Sequence, residues 1–150
     1  MSIFQSLDIT ASALTAQRLR MDVISSNMAN VDTTHARLVN GQWEPYRRKF
    51  VVMEPRQEGF STYLQAAMNS RSSVGNGVRV TKIMEDQTPF KLVYDPSHPD
   101  ADPNGYVRLP NVDPLKEMVD LMSATRSYEA NVTVFNATKG MLMKALEIGK

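Results

Sequence analysis

The sequence predicts a mainly α fold with a small β region. Long N- and C-terminal helices are expected to pack as a coiled-coil-like pair, with a β-containing, irregular segment between them. Three observations predict this. Pro and Gly, which punctuate non-helical structure, crowd the middle: Pro45, Pro55, Pro89, Pro96, Pro99, Pro103 and Pro110 all lie there, while residues 3–31 contain neither type. Both ends carry apolar residues at 3-4 spacing. The middle holds short runs rich in β-branched and aromatic residues.

The first element spans about 3–31. Its 3-4 stripe is Ile3, Leu7, Thr10, Leu14, Gln17, Met21, Ile24, Met28 and Val31, seven of the nine apolar. Ala11, Ala13 and Ala16 raise helix propensity beside it, and Ser2 with Gln5 fits a capping box. Such a helix is roughly 43 Å long, more than a 150-residue globule needs. Asn27 and Asn30 interrupt its last turns. Asn is unfavourable there unless its amide meets backbone or another chain, so both a simple C-terminal cap and interchain hydrogen bonding are open.

In the middle, 46–53 (YRRKFVVM) and 77–84 (GVRVTKIM) read as strands, with 90–94 and 106–109 as shorter ones. Asp102-Pro103-Asn104-Gly105 reads as a tight turn before the last. Residues 56–76 are polar and small, and suggest a loop.

The last element begins with Asp113 as N-cap and Pro114 at the first helical position. Its stripe is Met118, Leu121, Thr125, Tyr128, Val132, Phe135, Lys139, Leu142 and Leu146. Lys144 and Lys150 suit the negative end of the helix dipole. Helices with such seams want partner helices, from the same chain, from other copies, or both. Met21, Met28, Met118, Met122, Met141 and Met143 lie on or beside the seams. They fit ordinary core packing, and also a seam that repacks against several different neighbours.

Composition excludes several function classes. Lys and Arg number 17 against 16 Asp and Glu, a balance that argues against a dedicated nucleic-acid binder. There is no Cys, which removes disulfides, thiolate nucleophiles and Cys-ligated metals. His35 and His98 are the only histidines. The N-terminus has no basic region followed by an apolar one, which by itself predicts the cytosol.

Few residues look chemical. Asp100, Asp102, Asn104 and Gly105 imitate the start of a calcium loop, but Asn111 stands where the bidentate carboxylate belongs, and a structural turn is the expectation. His98 lies near Asp95, Asp100 and Asp102 without a nucleophile motif. Arg47-Arg48-Lys49 fits a solvated strand edge, a phosphate contact or an acidic neighbour. Asn131 and Asn136 match the glycosylation pattern but fall inside the predicted helix. No catalytic residue, metal ligand or cofactor is expected.

Ala13 to Ile24 (ALTAQRLRMDVI), followed by Ser26-Asn27-Met28-Ala29-Asn30-Val31-Asp32-Thr33, resembles the N-terminal signature of the bacterial flagellar rod and hook axial family. Asn111-Val112-Asp113-Pro114, Glu117 to Met122 and Arg126-Ser127-Tyr128-Glu129-Ala130-Asn131 resemble its C-terminal helix. Together the two ends cover about half the chain. Thr33-Thr34-His35 replaces the Thr-Pro-Gly-Tyr turn common in the family. With Pro45-Tyr46-Arg47, Val93-Tyr94-Asp95-Pro96 and the short length, the chain looks like a proximal-rod member.

The resemblance implies a structural subunit, without activity or cofactor, that polymerises through its terminal helices into the tube carrying torque from the membrane ring to the hook. It implies segments 1–32 and 113–150 forming the axial helical layer, with 33–112 outside them. The subunit-interface residues expected on the seams are Leu7, Leu14, Met21, Ile24, Asn27, Met28, Asn30, Val31, Met118, Leu121, Tyr128, Val132, Phe135, Leu142 and Leu146. Implied partners are other rod subunits, a membrane-ring-side adaptor and the flagellar type III export apparatus, with no nucleic acid and no small-molecule substrate. The implied location is the basal-body rod in the cell envelope, reached without a cleaved signal peptide. Each apolar residue fully buried contributes roughly 1.5–3 kcal/mol, so seams completed only between subunits would couple folding to assembly. A cytosolic coiled-coil adaptor and a small hydrolase built on His98 are the rival readings.

Overall fold

A computed structural model describes residues 3–56 and 77–149. The elements in chain order are α1 (Ile3–Ala29), β1 (Arg37–Val39), β2 (Gln42–Glu44), β3 (Lys49–Pro55), β4 (Val78–Glu85), β5 (Lys91–Tyr94), β6 (Tyr106–Leu109) and α2 (Pro114–Ile148). The fold is mainly helical, with the two long helices packed together and three two-stranded sheets, β1–β2, β3–β4 and β5–β6, in the middle. The loop expected at 57–76 and the capping box at Ser2 lie outside the described residues.

The chain forms two compact units, one built from three stretches and the other from two. One comprises Met1–Leu19, Val52–Lys82 and Ala124–Lys150; the other comprises Arg20–Val51 and Ile83–Ser123. In the first, the Ser12 hydroxyl accepts the Val78 N–H at 3.1 Å and donates to the Ile9 carbonyl at 2.7 Å. Gly77 makes this approach possible. Its φ is +96°, and a Cβ there would collide with Ser12 Oγ and crowd the Ile9 backbone. Arg56 closes the strand pair with its N–H to the Gly77 carbonyl at 2.8 Å and reaches Asp8 at 2.9 Å. Ala16, Ala124, Thr10 and Thr138 are buried in this unit.

The second unit holds both hairpins and the helix segments nearest them. β1 and β2 pair antiparallel, Arg37 opposite Glu44 and Leu38 opposite Trp43. Their two-residue turn has Asn40 at φ 51° and Gly41 at φ 80°, the doubly left-handed geometry that follows strand twist. β5 pairs with β6 from Lys91–Leu109 to Tyr94–Tyr106. The connection is a series of tight bonds: Gly105 N–H to the Asp102 carbonyl at 2.7 Å and Asp102 N–H to the Tyr106 carbonyl at 2.8 Å. Asp95 accepts both the Ser97 hydroxyl at 2.6 Å and the Ser97 N–H at 3.0 Å, which holds its carboxyl below the ordinary range.

α2 starts as its sequence predicts. The Asp113 carboxylate accepts the Leu115 N–H at 3.0 Å and the Asp113 carbonyl accepts the Glu117 N–H at 3.0 Å. β3 begins at Lys49, three residues later than the expected 46, because the backbone before it is used elsewhere. Tyr46 N–H bonds the Thr33 carbonyl at 3.0 Å and Arg48 N–H bonds the Asn111 side chain at 2.8 Å.

Candidate assembly interface

The helix seams are best described by which face the chain covers itself. On α1, Val23, Ile24 and Asn27 are buried, while Leu7, Leu14, Met21 and Met28 are half-buried, as are Asn30 and Val31 just past its end. On α2, the covered face runs through Glu117, Leu121, Ala124, Tyr128, Val132, Phe135, Thr138 and Leu142. It includes five of the expected seam residues, but it is centred on Glu117 and Ala124, one position away from Met118 and Thr125. Met118 and Leu146 stand exposed, at 49% and 73%. Lys144, placed in sequence near the negative helix end, pairs with Glu147 at 2.6 Å.

A second apolar face of α2 is left open. It lies at the helix start and consists of Leu115, Met118, Val119 and Met122, at i, i+3, i+4 and i+7, all exposed; Val134, Met141 and Ile148, exposed at seven-residue intervals, form a separate stripe in the other unit. A helix apolar on one stripe needs one partner; apolar on two, it needs a second.

Beneath the open face at the start of α2 lies a buried polar junction. Asn27 and Glu117 are both fully buried. The Asn27 amide nitrogen donates to the Lys49 carbonyl at 2.8 Å and to Glu117 Oε2 at 3.0 Å. Its oxygen accepts the Tyr46 hydroxyl at 3.1 Å and the Lys49 N–H at 2.9 Å. All four hydrogen-bonding positions of this amide are therefore filled within one chain. Asn30 bonds the Ser26 carbonyl at 2.8 Å and accepts the Thr33 hydroxyl at 3.2 Å, closing the end of α1.

Arg48 completes the junction. Its Nε donates to Glu117 Oε1 and its Nη2 to Asp120 at 3.2 Å, and Asp86 stands 3.9 Å away. Arg20 reaches Asp120 at 3.7 Å. The Thr88 N–H to the Asp86 carboxylate lowers that group's pKa, with the Thr88 hydroxyl and the Arg48 charge acting in the same direction. Of the readings open for the basic triplet, the acidic neighbour holds for Arg48. Arg47 lies 4.3 Å over the Phe90 ring and Lys49 5.5 Å over Tyr46. Sequence reasoning singled out Asn27 but missed Glu117, which looks like any helical Glu in a first turn.

The residues that looked chemical are structural neighbours here. Both histidines face Asp100, His35 at 3.3 Å and His98 at 3.8 Å, and Thr34 donates to the same carboxylate at 2.7 Å. His98 Nδ1 accepts the Asp100 N–H at 3.1 Å. Among the described residues, no three His, Asp or Glu side chains are grouped to hold a metal ion. Asn131 turns back onto the Ser127 carbonyl at 2.8 Å within α2.

With one face covered by its own chain, a second apolar stretch open at its start, and a polar junction tying that start to the end of α1, α2 belongs to a structural protein that meets a further partner rather than to a catalyst. Known proteins agree. Residues 7–37 match the model for flagella basal body rod protein, and residues 104–148 match the C-terminal model of flagellar basal body rod FlgEFG proteins. Over its whole length the chain is 65% identical to the complete flagellar basal-body rod protein FlgC of Bacillus subtilis. It is 45% identical to FlgC of Borreliella burgdorferi, covering 99% of this chain and 98% of that one, and 42% identical to the complete FlgC of Salmonella typhimurium.

The chain belongs to the FlgC family of flagellar basal-body rod proteins. It is a structural subunit of the bacterial flagellum, located in the basal body and interacting with other rod components, and not an enzyme. Neither the adaptor nor the hydrolase reading is supported.

Proposed function

We infer that this subunit polymerises through α1 and α2 into the proximal part of the rod, where it carries torque from the membrane ring to the hook. The observation that supports this is the open apolar face of α2, in addition to the face its own chain covers. The half-buried seam residues Leu7, Leu14, Met21, Met28, Leu121, Tyr128, Val132, Phe135 and Leu142 gain their remaining burial from neighbouring subunits, and Met118 and Leu146 are the seam residues that meet neighbours most directly. Methionines on this face adapt to neighbours that are not identical. Segments 1–32 and 113–150 act as the axial layer and 33–112 as the outer part. A ring-side adaptor and the flagellar type III export apparatus are the further partners. Export by that route, without a cleaved signal peptide, delivers the chain to the cell envelope.

The test is Met122→Glu, alone and with Val119→Asp, introduced into a strain lacking its own copy. Both side chains are exposed, so thermal unfolding of the purified chain should stay within about 0.5 kcal/mol of wild type. Incorporation into basal bodies and swimming should be lost. Normal motility with charged residues at both positions would remove this face from the assembly.

A further inference from the structure

Asn-Gly occurs three times in the sequence, at 40–41, 76–77 and 104–105. In such a pair the glycine nitrogen can reach the asparagine side-chain carbon, because the following residue has no Cβ to block the approach. Asn76 lies outside the described residues. The other two pairs sit in contrasting surroundings. Gly105 is buried, its N–H is held by the Asp102 carbonyl at 2.7 Å, and a Cβ on it would stand 2.9 Å from the Tyr94 ring and 3.3 Å from Pro96. Gly41 is exposed, with nothing within 4 Å of its Cβ position, and no acceptor among the described residues takes its N–H. Asn40 is exposed too, in the left-handed region at φ 51°.

We propose that Asn40 is a site of spontaneous deamidation, an intramolecular acyl transfer with water as the only co-reactant. The Gly41 nitrogen, deprotonated by hydroxide, attacks Cγ of Asn40. A C–N bond forms and closes a five-membered succinimide, and the side-chain nitrogen leaves as ammonia. Water then adds to one of the two ring carbonyls and breaks a ring C–N bond, leaving aspartate or isoaspartate at position 40. One water is consumed, one ammonia is released, and one carboxylate is gained.

The two products differ in consequence. Asp-Gly suits this turn as well as Asn-Gly, so aspartate keeps the hairpin and adds a negative charge. Isoaspartate inserts a methylene into the backbone, and a two-residue turn cannot absorb it. The pairing of Leu38 with Trp43 and of Arg37 with Glu44 then loses its register. Arg37 and Glu44, bonded at 3.0 Å, and the edge-on contact of His35 with Trp43 at 5.2 Å would separate with it. Leu38 and Trp43 are both exposed, so the reaction would remodel an outward face of the subunit as the protein ages.

The experiment is a tryptic map of the purified full-length chain held at mildly alkaline pH, folded and in urea. Cleavage at Arg37, Arg47, Lys91 and Arg108 puts Asn40 and Asn104 on separate peptides with no other Asn. The readouts are the mass gain of amide-to-acid conversion and methylation by an isoaspartyl methyltransferase. The ratio of unfolded to folded rate should be several-fold larger at Asn104 than at Asn40, and the folded rate at Asn40 should rise with hydroxide. Asn40→Gln should abolish the signal on its peptide. Protection at Asn40 equal to or greater than that at Asn104 would overturn the proposal.

Discussion

A carboxylate with no exposed surface loses hydration worth several kcal/mol, and Glu117 offsets that loss through Asn27 on one oxygen and Arg48 on the other. Removing Arg48 strands the Glu117 charge in the interior, whereas Arg48 without Glu117 keeps Asp120 and Asp86. Arg48→Ala should lower stability by about 3–5 kcal/mol in urea unfolding, and Glu117→Ala by less. The double variant should lose clearly less than the sum of the two, because one deletion already breaks the shared contact. Additive losses would show that the two side chains act independently. Asn27 is visible in the sequence as a residue out of place in a helix, but its partner is 90 positions away. Nothing in the chain's local pattern distinguishes Glu117 from Asp113 or Asp120, which keep contact with water. The identity of a buried pair depends on which segments meet, and that is not a local property.

Elements were legible where their signals are local. Asp113 followed by Pro114 predicts the start of α2 to the residue, since cap and first turn interact within four positions. Asp113→Ala should therefore cost about 1 kcal/mol, and Asp113→Ser should recover most of it, as read by thermal unfolding; no change would mean that tertiary contacts alone hold this end. β6 was likewise found at its bounds, 106–109, because a tight turn precedes it. The hairpin β1–β2 was missed. Its strands have three residues each, too few for alternation to register, although Asn40-Gly41 carries the turn signal. β3 was read three residues too early because Tyr46 and Arg48 look like strand residues, yet their backbone bonds go to Thr33 and Asn111.

At the scale of the whole molecule, the question is where the open apolar residues of α2 find cover. If assembly completes the seams, the purified chain should sediment as a monomer. Its far-UV circular dichroism should show less helix than the 27 and 35 residues of α1 and α2, and helix should be gained on polymerisation. A stable closed dimer, fully helical from the start, would mean the seams are already satisfied in pairs, and assembly-coupled folding would fail. What the sequence determined by itself was periodicity and punctuation: two long amphipathic helices, a Pro- and Gly-broken middle, and the family motifs carried on those helices. These are read from neighbours within a few positions along the chain. Only the tertiary structure decided which face of α2 is covered, that Asn27 is satisfied within the chain, and that Arg48 belongs to Glu117. An apolar stripe specifies that a helix must be covered but not by what, and a polar side chain becomes a junction only when distant segments exclude water around it.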